Sequence, residues 1–164
     1  MFVVAYAFVY ALALIQLGVY APSLPATVAT HFIKGGGANG FSTKESFIIF
    51  YLSFVIFVPG VIYGASVLIE KLPGALNIPN KDYWLAPERR AATVKGLAHG
   101  FRFLGMLIGL LLIGINQLVI NANLVKPPHL DEQGIGVFLG VFVFVFISFL
   151  VWMTARYRVP GKKS

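Results

Sequence analysis

The sequence predicts an all-α integral membrane protein of four transmembrane helices, with both termini on the inner side (N-in/C-in) and no soluble domain. Three observations predict it. Charged residues make up only 12% of the chain and mean hydropathy is +0.82, whereas a soluble domain is about a quarter charged. Four segments approach the ~20 apolar residues that cross the hydrocarbon core. Lys and Arg, finally, are distributed one-sidedly along the chain.

The single membrane domain, residues 1–164, divides as follows. Span one, 2–20, lacks a basic leading region, and a cut after Ala21 would leave Pro22 just beyond it. It is therefore expected to be retained as a helix rather than removed as a signal peptide. The outer loop 21–46 contains "GGGANG". Gly35 to Gly37 and Asn39-Gly40 are expected to form tight turns with positive φ. A phosphate cradle is not expected, because it needs G-x-x-x-x-G-K-[ST] between a strand and a helix, and neither flank reads as a strand. "STKES" starts the next helix, with Ser42 or Thr43 as its cap and Glu45 near its positive end.

Span two, 47–69, contains Pro59, expected to kink the helix and free a carbonyl one turn earlier. In the inner loop 70–100, residues 77–95 are expected to lie along the inner membrane surface. Pro79-Asn80 suits a turn, and Pro87 suits the first position of a helix. Tyr83 and Trp84 are natural interface anchors, and Arg89, Arg90 and Lys95 suit lipid phosphates. A docking epitope for a partner protein is the alternative use of this segment. Span three, 101–120, and the outer loop 121–134 follow. Span four, 135–153, alternates Val and Phe like a strand, but its length argues for a helix, and a lone strand cannot pair its backbone in lipid. Phe138, Phe142, Phe146 and Phe149 share one stripe of that helix. The inner tail is 154–164.

Charge sets the direction. Of the 13 Lys and Arg residues, only Lys34, Lys44 and Lys126 fall in the outer loops; Lys71, Lys81, Arg89, Arg90, Lys95, Arg102, Arg156, Arg158, Lys162 and Lys163 fall on the inner side. The net charge of +7 thus reports topology, not nucleic-acid binding. Three pairs, Gly60/Gly64, Gly105/Gly109 and Gly136/Gly140, fit the G-x-x-x-G pattern that lets helix backbones approach.

Chemistry-bearing residues are few. With no cysteine there is no thiolate, disulfide or iron–sulfur cluster. His31, His129 and Asp131 have the ligand types of an open zinc site, but nothing in the sequence brings their loops together, so no metal is expected. His99, at the inner edge of span three, could serve as an axial haem ligand. No second intramembrane histidine completes a pair, so no cofactor is expected either. Gln16, Asn116, Gln117 and Asn121 are the polar groups in or near the spans, and Asn116 should face another helix. No acid sits at the centre of a span, as an ion path would require. Ser53, Ser66 and Ser148 have no base in one plausible plane. No enzyme activity is expected.

Leu24, Pro25, Val28, His31, Phe32, the glycine cluster, Asn39-Gly40-Phe41 and Lys44, directly after a first span, resemble an uncharacterised bacterial membrane-domain family. The same domain of unknown function forms the N-terminal part of SdpI-type immunity proteins, which protect a cell against a secreted peptide toxin. The family pattern is roughly L-P-x-x-V-P-x-H-F, then a glycine and an aromatic, then S-x-K. Here Ala29 replaces the second proline, and "IKGGGAN" replaces a more polar, acidic run. The likeness covers about residues 5–70, and 77–93 resembles the segment after span two in a longer branch. The expected role is a non-catalytic structural or accessory subunit of a larger complex in the bacterial inner membrane, touching membrane lipids and other membrane subunits. The alternative, which the resemblance implies, is a stand-alone immunity or sensing protein whose outer loop recognises an extracellular peptide. An enzyme with an outer metal site is a third reading.

Overall fold

The computed structural model describes residues 2–159; Lys162 and Lys163, counted in the basic tail, lie outside the described residues. Helix α1 is Phe2–Tyr20, strands β1 and β2 are Thr27–Phe32 and Ala38–Thr43, and helix α2 is Lys44–Lys71. A single turn, α3, Lys81–Trp84, precedes α4, Pro87–Asn123, and α5, Glu132–Arg156. Four of these helices, α1, α2, α4 and α5, are long and apolar enough to cross a membrane.

Each helix packs by the stripe its sequence provides. In α1 the buried residues are Tyr6, Val9, Ala13, Gln16 and Leu17, at the three- and four-residue spacing of one helical face. In α2 they include Phe47, Tyr51, Val55 and Pro59, each one turn from the next. These faces meet α4 where it is narrowest. A Cβ at Gly105 would meet the Tyr6 hydroxyl and, at 3.3 Å, the Pro59 carbonyl oxygen; one at Gly109 would lie 2.8 Å from Val9 Cγ1. Small residues thus let three backbones close together without lipid between them. α5 packs antiparallel along α4 through Phe138 at Gly114, Phe149 beside Phe103 and Met153 at Gly100. None of its residues is buried.

Two sequence expectations change. The glycine cluster is flanked by strands: β1 and β2 form an antiparallel hairpin, with Val28 opposite Ser42 and His31 opposite Gly40. Gly35 and Gly36 make its turn at φ of 90° and 78°, and the Ile33 N–H donates to the Gly37 carbonyl at 2.9 Å. Asn39-Gly40 is not a turn but part of β2. Gly40 is required by close approach instead, since a Cβ there would lie 2.8 Å from the Cβ of His31. The third helix is also far longer than 101–120. It runs unbroken for 37 residues, about 55 Å at the α-helical rise; Pro87 starts it, as the sequence suggests, and residues 87–95 run straight on into span three. α2 is helical on both sides of Pro59, and in that turn the Tyr10 hydroxyl donates to the Ile56 carbonyl at 3.4 Å.

The start of α2 follows its sequence signal. Thr43 is the N-cap, its hydroxyl oxygen accepting from the Ser46 N–H, and Glu45 stands in the first turn.

Candidate functional site

Inside the three-helix core, Gln16 joins α1, α2 and α4. Its Oε1 accepts from the Tyr51 hydroxyl at 2.8 Å and from Asn116 Nδ2 at 2.8 Å. Its Nε2 donates to the Ile113 carbonyl at 3.0 Å and to Gln117 Oε1 at 2.9 Å. Gln117 in turn donates to Asn121 Oδ1. Every polar atom of the Gln16 amide is therefore engaged by groups that carry no charge. Such a network fixes helix register and rotation and leaves no polar atom of that amide unpaired in the apolar interior.

At the hairpin end, the loops that look independent in the sequence are joined. Asn123, at the end of α4, forms two bonds with one residue of β1. Its Oδ1 accepts from the Ala29 N–H at 2.7 Å, and its Nδ2 donates to the Ala29 carbonyl at 2.9 Å. Beneath this clasp Leu24, Val28, Phe47 and Ile120 form a buried cluster. The α4–α5 connection is tied to the hairpin turn as well. The Leu130 N–H donates to the Gly36 carbonyl at 2.8 Å, and the Gly35 N–H donates to Glu132 Oε1 at 2.6 Å. His31 bonds Asn39 within the hairpin. Asp131 caps α5, accepting from the Gln133 N–H at 3.1 Å. His129 lies against Gly36. Among the described residues, no three His, Asp or Glu side chains converge as a metal site would require. Ile33 and Phe41 remain 53% and 54% exposed on the hairpin.

At the opposite end, Arg102 donates to Glu70 Oε2 at 2.5 Å and to Ser66 Oγ at 3.0 Å, tying α4 to α2. Its sequence partner was hidden, because Glu70 and Arg102 are far apart along the chain. Ser66 itself donates to the Tyr63 carbonyl at 2.6 Å, and Ser53 and Ser148 donate to carbonyls one turn back in their own helices. The segment before α4 folds onto the bundle end. Asn80 turns the chain at φ 53°, and Leu76, Ile78 and Leu85 pack on a cluster of Ile69, Val94, Leu97 and Ala98. The Trp84 indole N–H donates to the Tyr157 carbonyl at 2.9 Å, so it links the segment to the end of α5 where the sequence suggests a headgroup anchor. Arg89 stacks 4.1 Å over Tyr83, donates to the Tyr83 carbonyl and pairs with Glu88. Arg90 is exposed. His99, half-buried in α4, has its ring 5.2 Å from that of Phe2.

The glycine pairs separate into two groups. Gly105 and Gly109 form the α1/α2/α4 contact described above. Gly60 reaches only the Tyr10 hydroxyl, and the Cβ positions of Gly64, Gly136 and Gly140 meet no atom within 4 Å. Gly96, Gly100 and Gly114 are further close-approach positions, facing Tyr157, Met153 and Phe138 of α5 or its end. Gly96 and Gly100 have the same G-x-x-x-G spacing as the pairs named above, while Gly114, fourteen residues further on, carries no such signal. No family model matches the chain, and neither a curated protein nor a solved structure matches it.

Proposed function

We propose that this chain is a non-catalytic structural or accessory subunit of a larger complex in the bacterial inner membrane, with both termini and the loop 70–100 on the inner side. The observation that carries this reading is α5. It has no buried residue, and its Gly136 and Gly140 offer a backbone-approach surface that meets nothing among the described residues. The rest of the molecule uses such glycines to seat a helix, as at Gly105 and Gly109. A partner helix on the free face of α5 would complete the same arrangement. In mild detergent the chain should co-purify in a stoichiometric complex. Replacing Gly136 and Gly140 together with Leu should release the partner while leaving the four spans inserted. Recovery of a lone chain from the native membrane would overturn the subunit reading.

One observation favours a second reading. The hairpin is rigidly held by Asn123 and Glu132 yet presents Ile33 and Phe41 outward, as a surface for recognising an extracellular peptide would. That function, suggested by the resemblance to SdpI-type immunity proteins, predicts toxin sensitivity on deletion and a chain that works without a partner.

A further inference from the structure

Beside His99, the start of α1 and the facing sides of α4 and α5 enclose a cleft of about 590 Å³. Its walls are Phe103, Val145, Phe149 and Trp152, and its floor is Gly96 and Gly100. Among the described residues, the His99 imidazole and the Arg156 guanidinium are its polar lining, and no carboxylate lines it. We propose that this cleft binds one anionic phospholipid, its acyl chain between α4 and α5 and its phosphate on Arg156 and His99.

The chemistry of each part fits one portion of that ligand. The aromatic and aliphatic walls suit a flexible hydrocarbon chain, which gains by leaving neither water nor loosely packed lipid against the helices. Gly96 and Gly100 line its α4 side with backbone, their Cβ directions being taken up by Tyr157 and Met153. Arg156 stands 5.7 Å from the Trp152 ring centroid, which orients its planar fork at the head of the apolar slot. A guanidinium is suited to phosphate oxygens because it offers paired donors. A second, independent observation lies at the same end. The Tyr157 hydroxyl is buried with no hydrogen-bond partner among the described residues, although it sits next to Gly96 on the cleft floor. Burial raises this phenol above its ordinary range, against the pull of Arg156. It lies behind Gly96, whose Cβ direction also comes within 3.9 Å of Arg156 Nε, so it belongs to the same polar end of the cleft. The site does not depend on a partner subunit, so it stands or falls separately from the subunit reading.

Trp152 reports on the cleft directly. The chain has 2 tryptophans, so Trp84→Phe leaves Trp152 as the only one. That full-length protein is reconstituted in phosphatidylcholine vesicles containing increasing fractions of phosphatidylglycerol brominated on its acyl chains, or of equally brominated phosphatidylcholine. Brominated phosphatidylglycerol should quench Trp152 saturably at low mole fraction, with about a fivefold preference over phosphatidylcholine for a basic group at the headgroup. Arg156→Gln with His99→Gln should bring the two curves together, while Arg156→Lys should keep much of the preference. Equal quenching by both lipids, rising in proportion to mole fraction, would mean ordinary surrounding lipid only and overturn the proposal. So would a phosphatidylglycerol preference unchanged by the Gln variants, or saturable quenching by a brominated free fatty acid alone.

Discussion

At the scale of residues, two side-chain amides hold together parts that the chain keeps far apart. Gln16→Leu would strand the Tyr51 hydroxyl and the Asn116 amide in an apolar interior. Leaving such groups unpaired costs about 1–3 kcal/mol, and a thermal melt in detergent should move down accordingly. Asn123→Ala leaves both backbone groups of buried Ala29 without partners. Hydrogen exchange should then accelerate across residues 27–43 and little elsewhere. Protection equal to the parent protein would show that the strand pairing, not Asn123, holds the hairpin. In the sequence, Asn116 could be assigned to a helix–helix face because lipid offers its amide nothing. Its partner could not be named, since any of several polar groups was eligible until helix rotation was known. Asn123 carried no signal at all: an asparagine at the end of a span is ordinary, and only the tertiary position of Ala29 makes it a clasp.

At the scale of elements, glycine means different things in different places. Gly105→Val drives a side chain toward Tyr6 and the Pro59 carbonyl, and overpacking of this kind costs about 1–3 kcal/mol. Gly140→Val meets no atom of the described residues within 4 Å and should leave the melting temperature of the isolated protein unchanged. If the two variants melt alike, close packing at Gly105 is not what joins α1, α2 and α4. In the hairpin, Gly40→Val should open the pairing beside His31, whereas His31→Ala removes an exposed contact with Asn39 and should cost less than about 0.5 kcal/mol. The hairpin was in fact legible. Two runs carrying β-branched and aromatic residues, separated by five residues containing three glycines, form a hairpin pattern. The reading as a plain connector gave the membrane spans too much weight and the short strands too little. The length of α4 was less legible, because Arg89, Arg90 and Lys95 interrupt hydropathy without interrupting a helix. Helix propensity is favourable for Arg and Lys.

At the scale of the whole molecule, orientation is the property that topology leaves to charge. α1 and α4 run parallel and α2 and α5 run opposite to them, as the contacts Phe2–His99, Tyr6–Arg102, Gln16–Tyr51 and Gly96–Tyr157 require. With no native cysteine, single cysteines can report the side directly. Ser42→Cys and Gln133→Cys should label with an impermeant thiol reagent in intact cells, and Asp82→Cys only after permeabilisation. Labelling of Asp82→Cys alone in intact cells would reverse the assignment. The reagent reaches both ends of the bundle through water, so the result does not depend on α5 having a partner.

The sequence by itself determined the membrane class, the four apolar segments and the charge asymmetry between loops, because these follow from local composition and from the thickness of a bilayer. The cap of α2 is likewise narrowed to Ser42 or Thr43, and a glycine turn placed within Gly35 to Gly37, because the controlling interactions there lie within a few residues. Which glycines are helix contacts, which amides close the core, how the loops at the hairpin end join, and the link from Trp84 of α3 to the end of α5 come from the tertiary structure alone. Those outcomes depend on how each helix is rotated about its axis. In α5 the apolar residues surround the helix on all sides, so no sequence periodicity selects its buried face; the fit of Phe138, Phe149 and Met153 to Gly114, Phe103 and Gly100 does.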